Sequence, residues 1–234
     1  MKKTITLLLA AAGVAMAEVT PLTLQWQDGY AASPKDTNYV YAGSLYNTVT
    51  MVADLNWDAL LNAGLTNGTF LFSTNDANGK NHGMGLYVDG GGKHLDAWIN
   101  GKDAFLAIDL KYTDIDDLET YTDAALVFTT YDMQSTNSYF EARLYLTADN
   151  GETYNLALEG VTTRGYSDGG FDSIDSFSFN DEYVDKMDVY NSYLMANEQL
   201  EAIGKLNTAT VPEPTTATLS LLALAGLAAR RRRR

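Results

Sequence analysis

Between Leu22 and Phe179 the apolar positions fall in short runs rich in β-branched and aromatic side chains, separated by clusters of Gly, Asn and Asp, with hardly any helical period. This pattern predicts strands at Leu22 to Trp26, Thr48 to Asn56, Gly68 to Ser73, Gly83 to Val88 and Leu95 to Ile99. Further strands are expected at Phe105 to Leu110, Ala124 to Tyr131, Tyr139 to Thr147, Thr153 to Leu158 and Ser173 to Phe179. Alternation is clearest from Tyr139 onward. Phe140, Ala142, Leu144 and Leu146 share one face, while Glu141, Arg143 and Tyr145 share the other, which places one face on a core and one in water.

Turn residues sit where such strands must reverse. The Gly-rich link Asp89 to Lys93 makes Gly83 to Gly101 a hairpin, and Asp149-Asn150-Gly151 marks another. No strand is followed by a crossover helix, so the body is expected to be all-β, a two-sheet antiparallel sandwich. A helical period is confined to the end, from about Ala196 to Lys205, with Leu200 and Ile203 on one face.

The hydrophobic pattern changes at both termini. Lys2 and Lys3 precede an apolar run from Ile5 to Val14, and Ala15 and Ala17 supply the small residues a signal peptidase accepts, so cleavage after Ala17 is expected. An N-terminal anchor is the alternative, but the run is well short of the ~20 apolar residues a spanning helix needs. At the other end Thr215 to Ala229 forms a second apolar run, roughly 22 Å long as a helix at ~1.5 Å per residue. Arg230, Arg231, Arg232, Arg233 and Arg234 follow it and can snorkel to the interface, which predicts a transmembrane helix with the body outside and the arginines inside. Val211, Pro212, Glu213 and Pro214 precede this run, and two alternate prolines keep the segment extended and readable by a protease. The three elements together resemble the PEP-CTERM sorting signal of Gram-negative bacteria. That resemblance implies cleavage near Pro-Glu-Pro by an exosortase-type membrane protease, then release or attachment at the cell surface. A tail anchor with a Pro-rich stem is the alternative.

These boundaries give a signal peptide over 1–17, one domain over 18–207 and a sorting segment over 208–234. Charge then narrows the partners. Without Lys2, Lys3 and the terminal arginines the 16 basic residues fall to nine, against 29 acidic residues once Glu213 is set aside. Such a body repels nucleic acid and gains nothing from counterion release. There is no cysteine, which rules out disulfides and thiolate zinc sites. His82 and His94 are the only histidines and show no metal-ligand spacing; they read as polar residues flanking a hairpin.

Several segments resemble, in order, strands of the laminin-G-like (LamG) or concanavalin A-like jelly roll: Val49 to Leu55, Phe70 to Ser73, Gly83 to Val88 and Ala97 to Gly101. The closest match is Val184-Asp185-Lys186-Met187-Asp188-Val189-Tyr190-Asn191, followed by Leu194 and a helix through Glu198-Gln199-Leu200. The chain departs from that family where Met195 replaces a hydroxyl cap, so a capping box with Glu198 is not expected, and Asn197 is the alternative cap. The resemblance implies a jelly-roll sandwich with a short C-terminal helix. It also implies one structural calcium, without assigning its loops.

Candidate chemistry is sparse. The β-glucan hydrolases of jelly-roll fold carry Glu-x-Asp-x-x-Glu on one strand, and no Glu-x-Asp occurs in this chain. Asp114, Asp116, Asp117 and Glu119 form the densest carboxylate group, open to calcium or to solvent; Asn75 to Gly79 and Asp168 to Asp172 are comparable loops. Among 15 tyrosines and three tryptophans, Trp57 and Trp98 are expected inside, while Tyr30, Tyr131 and Tyr166 lie near polar loops where a sugar could stack. The expectation is a non-catalytic exported protein at the envelope, surface or exterior. It would bind envelope polysaccharide or a surface protein, or serve as structure. A glycoside hydrolase with a carboxylate pair hidden from sequence is the alternative.

Overall fold

The computed structural model describes residues 20–22, 25–26, 36–45, 48–62, 69–75, 81–89, 92–99, 108–131, 138–164 and 174–208. The signal segment, the sorting segment beyond Thr208, Tyr30, Tyr166 and the loops 76–80 and 168–172 lie outside the described residues. In chain order the elements are β1 (Gln25–Trp26), β2 (Asp36–Leu45), β3 (Val49–Leu55), α1 (Trp57–Asn62), β4 (Thr69–Asn75), β5 (Asn81–Asp89), β6 (Gly92–Ile99) and β7 (Ile108–Leu110). Then come β8 (Asp123–Tyr131), β9 (Ser138–Thr147), β10 (Asn155–Arg164), β11 (Ile174–Asn180), β12 (Val184–Tyr190) and α2 (Ala196–Thr208).

The strands form two antiparallel sheets, β1-β2-β11-β4-β5-β6-β7 and β10-β9-β8-β3-β12. The expected two-sheet sandwich is therefore present. Chain neighbours are split between the sheets at five places: β2 and β3, β3 and β4 around α1, β7 and β8, β10 and β11, and β11 and β12 around the turn Asp181 to Tyr183. Two elements are additional to the sequence expectation. Strand β2 pairs with β1 and β11, and helix α1 is a short turn opened by Asn56, whose Oδ1 accepts the Ala59 N–H at 3.1 Å.

Period-two alternation builds the core. Val49, Met51, Ala53 and Leu55 of β3, Leu126 and Phe128 of β8, and Phe140, Ala142 and Leu144 of β9 meet Phe72, Met84, Leu86, Leu95, Ala97, Ile99 and Phe177 of the other sheet. Phe72 and Phe128 bridge the sheets with ring centroids 5.8 Å apart. Each such large side chain contributes about 1.5–3 kcal/mol by leaving water. Trp57 joins this core, as expected. The hairpin turn at Asn150 and Gly151 also forms as read, both residues having positive φ (56° and 86°).

The second face of β9 departs from the expectation of water. Tyr145 is buried with Val52, Ala125, Val127 and Tyr190 under Ala202, Ile203 and Leu206 of α2, a second small core outside the five-stranded sheet. Leu200 is 42% exposed and does not share the Ile203 face. Gln199 is the polar anchor of this docking: its Oε1 accepts the Tyr145 hydroxyl at 2.6 Å and Arg143 Nη1 at 3.2 Å, and its Nε2 donates to the Leu194 carbonyl at 2.8 Å. Half of the capping box forms despite Met195. That half needs only the Met195 N–H, which donates to Glu198 Oε2 at 2.7 Å. At the far end Lys186 Nζ donates to the Leu206 carbonyl at 3.3 Å, satisfying one of the helix's orphan acceptors.

Candidate functional site

Because Leu95, Ala97 and Ile99 point into the core, His94, Asp96 and Trp98 of β6 emerge on the outer face of the seven-stranded sheet. Register fixes what surrounds them. On β5, Gly83 is opposite Trp98, Gly85 opposite Asp96 and Tyr87 opposite His94; on β7, Asp109 is opposite Asp96. Trp98 is thus part-exposed on the outer sheet face rather than inside, which corrects the sequence expectation.

Its indole occupies room that only glycines leave. A Cβ on Gly83 would come within 2.6 Å of Trp98 Cζ2 and would clash with the Phe72 carbonyl, and one on Gly85 would lie 2.9 Å from Cζ3. Outward from Gly83 the same row continues through Ser73 of β4 and Ser178 of β11, both small and polar. The indole lies over Gly83, and Ser73 and Ser178 beyond it are buried.

Beside it, His94 Nδ1 lies 2.5 Å from Asp109 Oδ1. The Asp109 side chain is 40% exposed, whereas Asp96 is fully buried. One ligand atom each from His94, Asp96 and Asp109 lies within 4.8 Å of the others, and no other group of three or more such residues meets that condition among the described residues. The Tyr87 ring packs edge-on to His94 with centroids 6.1 Å apart, which holds the imidazole in place. His94 therefore belongs to a donor cluster that its sequence spacing hides. His82 instead turns inward against Phe140, with ring centroids 4.7 Å apart.

The densest carboxylate group in the sequence is a solvated one. Asp114, Asp116, Asp117 and Glu119 are all exposed along two tight turns, Tyr112–Asp114 and Leu118–Thr120, and Asp114 is paired to Lys111 at 3.1 Å. Their side chains do not converge, so they do not fit a calcium ion.

On the other sheet, Asp54 is buried with Oδ1 lacking a hydrogen bond. Burial first, then the neighbouring Asp123 and Asp185, push its carboxyl up to about 7, with Lys186 opposing them. Asp123 is also raised, mainly by burial, although its oxygens accept the Tyr154 hydroxyl at 2.9 Å and the Ala124 N–H at 2.7 Å. Tyr131, one of the three candidate tyrosines, is 38% exposed and stacks on Tyr139 at 4.5 Å with Tyr193 edge-on at 6.0 Å.

No helix among the described residues is long and apolar enough to cross a membrane; the segment Thr215 to Ala229 lies outside them. No curated protein matches the chain in sequence. Solved structures show weak likeness. One is a GH43 glycoside hydrolase with an engineered active site, with endo-xylanase and exo-arabinofuranosidase activity: 13% identity over 66% of this chain and 30% of that one, TM-score 0.33. The chain thus spans less than a third of that enzyme's length. Alginate lyase Aly36B gives 11% identity over 66% of this chain and 69% of that one, TM-score 0.35. A functionally unknown protein from Saccharomyces cerevisiae gives 8% identity over 73% of this chain and 97% of that one, TM-score 0.26. Residues 210–234 match the PEP-CTERM protein-sorting motif. The motif implies processing by an exosortase and export to the Gram-negative cell envelope or surface.

Proposed function

We propose that this chain is an exosortase-sorted surface protein whose LamG-like or concanavalin A-like sandwich, residues 18–207, binds envelope polysaccharide without cleaving it. The signal segment 1–17 is removed after Ala17, and the segment 208–234 crosses the membrane until processing. The observation that carries the binding role is Trp98, a part-exposed indole held over Gly83 and Gly85 on the outer face of the seven-stranded sheet. A part-exposed aromatic ring suits the apolar face of a pyranose.

The non-catalytic part of the reading rests on access. Asp96 and Asp109 are close enough to suggest the carboxylate pair of a retaining glycosidase, ~5 Å apart. Asp96, however, is fully buried, so a glycosidic bond has no path to it.

The test is a polysaccharide panel, including envelope material, offered to the wild-type chain and to Trp98→Ala, with product analysis alongside. Retention that falls at least tenfold in Trp98→Ala, with no shortened products, is expected. Equal retention by both chains would contradict the assignment to this face. Product formation abolished by Asp109→Asn would favour the enzyme reading instead.

A further inference from the structure

From the β6–β7 ladder we infer that His94, Asp96 and Asp109 form a site for one first-row divalent cation, zinc or manganese. The three residues come from two adjacent strands, and the register that makes Asp96 and Asp109 direct partners also puts His94 two residues away on the same face. Like charges directly opposite on a strand pair are destabilising. Here one of the two carboxylates is fully buried, where a charge requires neutralisation. A divalent cation held by all three side chains would balance both carboxylates.

The donor geometry fits. Ligand atoms around a tetrahedral ion with bonds of about 2.0–2.2 Å stand roughly 3.3–3.6 Å apart. The three donors already lie within 4.8 Å of one another, so small side-chain rotations close the set. His94 Nδ1 and Asp109 Oδ1 are hydrogen-bond partners, and metal binding would replace the proton between them with the cation. One imidazole nitrogen with two carboxylate oxygens favours zinc or manganese over calcium, which takes six to eight oxygens. Asp109 is the side chain open to solvent, so ions enter from its side.

The probe is the metal alone, which keeps this result independent of any polysaccharide. The full chain, stripped with a chelator, is titrated with zinc by calorimetry and with manganese by the loss of its free-ion resonance signal. Calcium is run in parallel. About one equivalent of zinc or manganese is expected, with affinity at least tenfold weaker in His94→Gln, Asp96→Asn and Asp109→Asn. Circular dichroism checks folding; should the buried Asp96 variant unfold, the exposed Asp109 variant decides. Absence of zinc and manganese binding, binding of calcium alone, or binding unchanged in Asp109→Asn and His94→Gln would overturn the site.

Discussion

The indole of Trp98 fills the space that a side chain on Gly83 would need: a Cβ there would sit 2.6 Å from Cζ2. Gly83→Ala must therefore displace the ring or bend the strand, at about 1–3 kcal/mol of overpacking. In a domain of this size that lowers the melting temperature by roughly 2–4 °C per kcal/mol. Gly204 of α2 is the contrast, since a Cβ there meets nothing within 4 Å. Gly204→Ala should raise stability by about 0.5–1 kcal/mol. Thermal melts of both variants check this, and a neutral Gly83→Ala would mean that the ring is not held over the glycines.

Stability should fall as pH rises from about 4 to about 8. Asp54 titrates at about 7 in the fold against an ordinary 3.8, mainly because it is buried. Between these values the native state holds the proton and the unfolded state has lost it, so raising the pH favours unfolding. The contribution is complete below about 4 and lost above about 7. Asp123 and Asp188 are raised in the same direction, again chiefly by burial. Asp54→Asn should flatten the slope and stabilise the chain at pH 8 by on the order of 2 kcal/mol. Urea unfolding at pH 5 and 8 measures it, and an unchanged slope in Asp54→Asn would refute the assignment.

Gln199 joins α2 to β9 through Tyr145 and Arg143. Gln199→Ala leaves the buried Tyr145 hydroxyl without this acceptor, at about 1–3 kcal/mol. Tyr145→Phe in the same background should recover part of that loss. Additive effects in the double-mutant cycle would show that the two side chains do not act as a pair.

Strand β9 was legible because one set of alternate positions is apolar throughout, and β8 because its apolar run is continuous. Strand β2 was not, since Asp36, Thr37 and Asn38 open it and Gly43 interrupts it. Helix α1 is six residues long, too short to display a helical period. Glu141, Arg143 and Tyr145 looked solvent-facing, because nothing local reveals that a helix more than 50 residues later closes over them. His94, Asp96 and Asp109 are brought together by ladder register alone, and a spacing of 13 residues between the two Asp matches no metal motif. The acidic group Asp114 to Glu119 was conspicuous in sequence because four carboxylates fall within six residues, and closeness along a turn spreads side chains outward.

Processing gives a separate prediction. Mass spectrometry of the exported protein should find its N-terminus at Glu18 and the cluster Arg230 to Arg234 absent. Extracellular protein that still carries the arginines would argue against exosortase cleavage.

The most direct test is amide hydrogen exchange on the full chain with and without saturating envelope polysaccharide. Protection concentrated in Asn81–Asp89, Gly92–Ile99 and Ile108–Leu110, and absent in Trp98→Ala, is the predicted result. Protection confined to Ser138–Thr147 and Ala196–Thr208, or none at saturation, would contradict the assignment of the seven-stranded sheet as the binding face.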